Sequence, residues 1–445
     1  MNPRSLDQPW GRGYRAQQAH AFADGNPFVA DASKPFLPRG LGRSYGDVCV
    51  NADGTLLHTF RRDRLLAFDD VHGVLTCEAG ASLADITEAM LPRGWFLPVV
   101  PGTRFVTVGG AIANDVHGKN HHINGTFGRF VPELKLSRSD WQTTQALSPT
   151  DALFGATIGG LGLSGLMHEA VLQLKRVPGP GIEQDTRLFG GDSSIDDYLA
   201  LDEASKDWEY TVGWIDTLDP HLRGVFFRGR HCDGPKEWLM PPSAKWTIPI
   251  DAPRWLLGAW SAKTFNALYY RAQAMRTVRR TTIPLWQFFF PLDAVNAWNR
   301  AYGKRGFVQY QFVVPTAATR ETVPKILAHL REANVASYLA VIKTFGDAPS
   351  PGLMSFPMAG TTVALDIPAP DEKDRRALDR ADAMVADVGG RVYPAKDARM
   401  SAAMFQRFFP QWHELEAARD PAISSSFWRR VTLSQDSQDS QDSTQ

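Results

Sequence analysis

The sequence has little cysteine, no surplus of charge of either sign and no long apolar run. Cys49, Cys77 and Cys232 are its three cysteines. They have no CxxC spacing and cannot all pair, so a disulfide scaffold is not expected and a reducing compartment is. Lys plus Arg and Asp plus Glu both number 48, which removes the broad basic field that drives nucleic-acid binding. No uninterrupted apolar stretch approaches the roughly 18 residues of a membrane span. The N-terminal "MNPRSLDQPWGRGYRAQQ" lacks the apolar centre of a signal peptide. The chain therefore reads as soluble and cytoplasmic.

What is present is enough apolar material for a large core. At 445 residues, 43% hydrophobic and 11% aromatic, two domains are expected. "GVLTCEAG" (73–80) reads as a strand, and Ser82 caps a helix that Pro92 and Gly94 stop. A helix is expected over 318–333, and 371–400 reads as a charged helix, a Gly-Gly stop and a strand. The segment 237–268, rich in Trp, Leu and Pro, fits either buried core or a face that meets a membrane or a greasy ligand. The closing "SQDSQDSQDSTQ" has nothing apolar to bury, so disorder is expected there.

Three glycine clusters lie in the first 170 residues: "PRGLGRSYGD" (38–47), "PGTRFVTVGGAIAND" (101–115) and "IGGLGLSGL" (158–166). None is a Walker A motif, since no Gly-Lys-Ser/Thr follows. Gly160, Gly162 and Gly165 have dinucleotide-fold spacing, but the helix and distant acid that should follow are not evident. Alone, each cluster reads as tight turns; together, three such loops suit a large anionic cofactor held by backbone N–H groups. A dinucleotide is the natural guest. The adjoining "HGKNHH" offers H-x3-H-H spacing in His117, His121 and His122, but no acidic or cysteine partner follows at a metal-site interval, so no metal is expected.

These blocks, with "GFVQYQFVVP" and "GGRVYPAKDAR", resemble the flavin-binding and active-site segments of the vanillyl-alcohol oxidase superfamily, specifically its sugar-oxidising branch. The likeness runs from about Pro9 to Leu433. It implies an α+β, two-domain, PCMH-type FAD-binding fold whose substrate domain, an antiparallel sheet with helices, is inserted into the FAD domain. The expected bounds are 1–181 and 389–433 for the FAD domain, 182–388 for the substrate domain and 434–445 for the tail. FAD is expected without a covalent link, because Arg43 and Ser44 stand where covalent relatives carry histidine. By the same resemblance, Arg39, Gly40, Leu41, Gly42, Arg43, Ser44 and Tyr45 of the first loop hold the cofactor. So do Pro101, Gly102, Thr103, Thr107, Val108, Gly109, Gly110, Ala113 and Asn114 of the second, then His117, Gly118 and Asn120, and Gly162 and Gly165 of the third.

Oxidising a secondary alcohol needs a hydride acceptor, a route for the hydroxyl proton and positive charge near the reduced ring. Lys396 matches the family lysine at the flavin carbonyl end. His117 and Tyr45 match residues beside flavin and substrate, and His117, Tyr45 and Lys343 all remain candidates for the proton acceptor. In "VQYQFVV", alternation puts Gln309 and Gln311 on one strand face and Tyr310 on the other. The resemblance places both glutamines and Lys343 in the substrate pocket, Lys343 to bind a phosphate or orient the hydroxyl. Lys119 and Asn120 are read as fixing their loop, and His121 and His122 as structural. Three positions depart from the family pattern: Phe289 for tyrosine, Phe290 for histidine and Ala364 for cysteine. They make the pocket more apolar.

The expected activity is FAD-dependent oxidation of the 2′-hydroxyl of a polyprenyl-phosphate-linked pentose, with a soluble alditol or aldonolactone as the alternative substrate. The expected companions are an NAD(P)H-dependent reductase that completes an epimerisation, and peripheral contact at the inner face of the membrane.

Overall fold

The computed structural model describes residues 8–23, 34–190, 194–244, 246–276 and 279–432; the tail expected to be disordered, 434–445, lies outside them. Three larger sheets and two two-stranded pairs organise the described residues, with helices packed between and over them, an α+β architecture. A small parallel sheet places Thr55–His58 between Ala19–Phe22 and Phe36–Arg39. A five-stranded antiparallel sheet runs in the order Leu65–Asp69, Val74–Glu78, Leu166–Gln173, Glu133–Ser137, Gln145–Leu147. The first glycine cluster continues from Phe36–Arg39 and the third runs into Leu166–Gln173, so their turns are carried on rigid supports.

Local sequence accounts for much of this. The helix Leu83–Met90 opens with Ser82 and Asp85 in a reciprocal capping box, and the chain leaves through Gly94 at φ 78°. That satisfies N–H groups the first turn would otherwise leave open. Thr107 caps the short helix Val108–Ala113 by accepting from Gly110 N–H, which fixes the turn of the second glycine cluster.

The third sheet has eight antiparallel strands, with Gly181–Phe189, Gly224–Cys232, Tyr210–Ile215, Ala340–Phe345, Gly360–Pro368 and Phe307–Pro315 as its body. Arg280–Pro284 lies at one edge and Arg391–Val392 at the other. Helices Thr319–Glu332 and Glu372–Asp387 bury their apolar stripes, among them Ile326, Leu327, Leu378 and Ala381, in a shared core with Tyr310 and Phe312. The period-2 alternation then sends Gln309 and Gln311 to the opposite face.

The aromatic segment is not core. Trp246, Trp255 and Trp260 are each more than 70% exposed, and the helix Ala259–Ala274 also presents Phe265 and Leu268 to solvent. No helix among the described residues is long and apolar enough to cross a membrane.

Candidate active site

Register builds the floor of the site. Three neighbouring strands place Gln309 opposite Asp366, Gln311 opposite Ala364 and Val341, and Val313 opposite Thr362 and Lys343. Residues two apart share a face, so this one surface carries an acid, two amides and an amine. Gln309 Nε2 donates to Asp366 Oδ1, and the Tyr302 hydroxyl donates to Asp366 Oδ2 at 3.2 Å. Gln311 Nε2 lies 3.0 Å from His117 Nε2 and donates to Thr362 Oγ1 at 3.2 Å.

Opposite this floor stand the glycine loops, and the space between is a cavity of about 680 Å³. Arg39 to Tyr45, Pro101, Gly102, Thr103, Thr107, Gly109, Gly110, Ala113, Asn114, His117, Gly118, Gly162, Gly165 and Lys396 all line it, with Gln309, Gln311, Lys343, Phe289 and Ala364. Two expected cofactor residues sit behind the wall. Val108 is fully buried in the core, and Asn120 Nδ2 donates to Pro98 O at 2.8 Å. Of the three departures, Phe289 and Ala364 face the cavity, whereas Phe290 is buried against Trp286.

The donors present fit a pyrophosphate-bearing cofactor. The N–H groups of Leu41, Gly42, Arg43 and Ser44, four in a row on the cavity wall, find no acceptor among the described residues. Unmatched donors cost free energy in a folded wall, and anionic oxygens satisfy them. Gly162, at φ 77°, has nothing within 4 Å of where a Cβ would stand, so the third loop leaves room for close approach. Asn114 Oδ1 and His117 Nδ1 are buried without a partner.

The loop that carries Lys396 is tied to the first glycine loop by Tyr45 N–H donating to Ala395 O at 3.0 Å. Lys396 Nζ stands 4.1 Å from the centre of the Tyr45 ring. Burial lowers Lys396 to about 8, with Asp366 opposing the shift. Burial raises Asp366 to about 6, held back by Gln309, Lys396 and Tyr302. Tyr45 is raised well above its ordinary range by burial first and by Asp366 next.

Sequence reasoning missed two site residues. Asp366 gave no signal, because its place depends on strand register. Lys119, read as fixing its loop, lines the cavity; its Nζ donates to Phe289 O at 3.1 Å, and burial lowers it to about 8. His121 packs its ring 4.4 Å from Phe345, and His122 Nε2 meets Trp208 O at 3.0 Å. No group of three metal-ligating side chains is assembled among the described residues.

The loop before His117 is pinned by Asp115, which is buried at φ 38° and accepts from Gly128 N–H at 2.8 Å. It also accepts from the Ser350 and Ser355 hydroxyls. That anchors the chain carrying Phe356, whose ring centre is 5.8 Å from that of His117.

Comparison with known proteins points to the same cofactor. Residues 27–140 match the family described as FAD binding domain. The chain is 34% identical over 430 residues to decaprenylphosphoryl-beta-D-ribose oxidase of Mycolicibacterium smegmatis, covering 91% of this chain and 90% of that protein. It is 31% identical over 385 residues to a Streptomyces coelicolor protein named only for its place in the mprA 5′ region, covering 79% of this chain and 100% of that one. The chain belongs to the FAD-dependent oxidoreductases of the vanillyl-alcohol oxidase family, in the branch that contains decaprenylphosphoryl-β-D-ribose oxidase.

Proposed function

We propose that this enzyme oxidises the 2′-hydroxyl of a polyprenyl-phosphate-linked pentose to a ketone. Bound FAD supplies the hydride acceptor for that chemistry. The observation that carries the reading is the continuity of one cavity from the glycine loops, over the amide floor, to the helix Ala259–Ala274. Phe265, Tyr269 and Gln273 of that helix line the cavity, while Trp260 and Leu268 of the same helix face solvent.

Each part has its task. Gln309 and Gln311 hold sugar hydroxyls, and their amides are already oriented by Asp366 and Thr362. Arg276, at the cavity mouth, offers a cation for the phosphate. The exposed Trp, Phe and Leu side chains cover the lipid and rest on the inner membrane surface, where amphipathic aromatics are favoured. His117, Tyr45 and Lys396 border the reacting atoms. The FAD domain is formed by 1–181 and 389–433 around the substrate domain, and an NAD(P)H-dependent reductase takes the ketone on to the epimer.

Binding energy remote from the reacting carbon positions it. A short-chain prenyl-phosphate ribose is therefore expected to bleach the flavin, mixed anaerobically, with a second-order rate constant about 100-fold or more above that of free ribose. Alditols and aldonolactones complete the panel. Equal or faster bleaching by an unphosphorylated polyol would move the function to a soluble substrate.

FAD is held without a covalent bond. The first loop offers Arg43 and Ser44 and no imidazole, and burial raises the nearby Cys49 thiol above its ordinary range, which disfavours the thiolate. Acid denaturation is expected to release all yellow colour into the supernatant. Colour left on the precipitated chain would show a link.

A further inference from the structure

We propose that Lys343 Nζ is the base that takes the proton of the substrate hydroxyl. The assignment rests on the functional reading above and names the proton acceptor within that site. As the substrate carbon gives up its hydrogen with the bonding pair to the cofactor, the O–H bond breaks and its electrons form the second C–O bond. The proton passes to the lone pair of the lysine nitrogen, which becomes an ammonium. The substrate loses two electrons as that hydride, which FAD held by the glycine loops would accept, and no further reactant is needed.

The geometry leaves this group free where its neighbours are engaged. Lys343 lines the cavity and makes no hydrogen bond or ion pair among the described residues. His117 Nε2 is taken by Gln311, whose amide N–H it accepts, so the imidazole proton of the neutral ring sits on the buried Nδ1. Lys119 donates to the Phe289 carbonyl. Asp366 is engaged by Gln309 and Tyr302. The Tyr393 hydroxyl donates to Asn114 O at 2.9 Å, and the Tyr338 hydroxyl to Leu256 O at 2.8 Å. Lys396 faces the Tyr45 ring and has Asp366 to support its charge.

A base must also be uncharged before it acts. Two amines face Lys343 from other elements, Lys119 from the HGKNHH loop and Lys396 from the C-terminal loop, and His117 and His121 lie on the same side. Burial first, then Lys119 and Lys396, lower Lys343 to about 7. Burial first, then Lys343, His121 and Lys396, hold His117 well below its ordinary range, so it is neutral but a poor proton acceptor. Burial, reinforced by Lys119 and Lys396, thus favours the uncharged form of Lys343, which has no partner among the described residues, whereas Asp366 favours charge on Lys396.

Two measurements test this. In protein carrying 13C-labelled lysine, loaded with FAD and free of substrate, the Lys343 Cε resonance is identified by its absence in Lys343→Arg. It is expected to titrate near pH 7, and titration above about pH 9 would overturn the assignment. In anaerobic single turnovers, Lys343→Arg keeps the charge but cannot act as a base. It is expected to slow flavin reduction about 100-fold or more with substrate affinity changed little, and to lose the rise in rate through pH 7. Lys343→Gln is expected to do the same. An Arg variant that retains the rate and pH profile of the wild type would make Lys343 a binding cation instead. If prenyl-phosphate ribose fails to bleach the wild type, the functional reading falls, and the Arg comparison is made on the panel alcohol that does.

Discussion

Lys396→Met is expected to keep its fold and its FAD but to show a flavin midpoint potential about 40–90 mV below the wild type at pH 7. If the lysine stood about 4 Å from the reduced ring, in surroundings of effective dielectric about 20, its unit charge would be worth roughly 2–4 kcal/mol after partial screening. For a two-electron couple that energy is on the order of 40–90 mV. The reduced ring carries the extra negative charge, so removing the cation lowers the potential and slows reduction by substrate. The sign with pH follows from Lys396 standing near 8. Its charge is present below that pH and lost above it, so the gap between variant and wild type should close as pH passes through 8 to 9. Because the folded lysine lies below its ordinary range, burying its charge opposes folding at neutral pH, and methionine should not lower the melting temperature. A potential unchanged at pH 7 would place the lysine away from the flavin.

The sequence was most legible where a signal is local. Ser82 gave the helix start, Pro92 and Gly94 gave its exit, and alternation in "VQYQFVV" gave the face of Gln309 and Gln311 without any partner strand. The glycine loops were legible as a set because four open N–H groups and a Cβ-free approach are backbone properties. What needed the structure is what depends on long-range register. Asp366 sits opposite Gln309 only because Gly360–Pro368 pairs with Phe307–Pro315 in one particular alignment, and a slip of one residue would turn it into the core. The lysine cluster joins residues 119, 343 and 396 from three separate segments, so no window of sequence contains it. The segment 237–268 could be read either way, because an apolar side chain does not say whether it meets its own core or another surface.

One ion network connects the C-terminal helix to both cofactor loops, and its loss is expected to have the largest effect on stability. Arg430, in the helix Ser426–Thr432, donates to both oxygens of Asp47 at 2.8 and 2.9 Å and to Asp397 at 3.1 Å. Asp47 ends the "GLGRSYGD" loop and Asp397 follows Lys396, and both are nearly fully buried. Asp397 also accepts from the N–H groups of Arg399 and Met400, while Arg399 is paired with buried Asp382. Arg430→Met would leave two buried carboxylates facing each other without the cation between them. Breaking such a pair by removing one partner costs about 3–5 kcal/mol, so the melting temperature should fall by several degrees. The loss should extend to cofactor retention, because the loops bearing Arg43, Tyr45 and Lys396 are both held by this network. Arg430→Lys should recover only part of it, since a point charge cannot serve two oxygens of Asp47 and one of Asp397 in the planar geometry of a guanidinium. Thermal melts and flavin absorbance of the two variants read both effects. A methionine variant that melts with the wild type and stays yellow would show that the loops are held by their packing, with the ion network incidental.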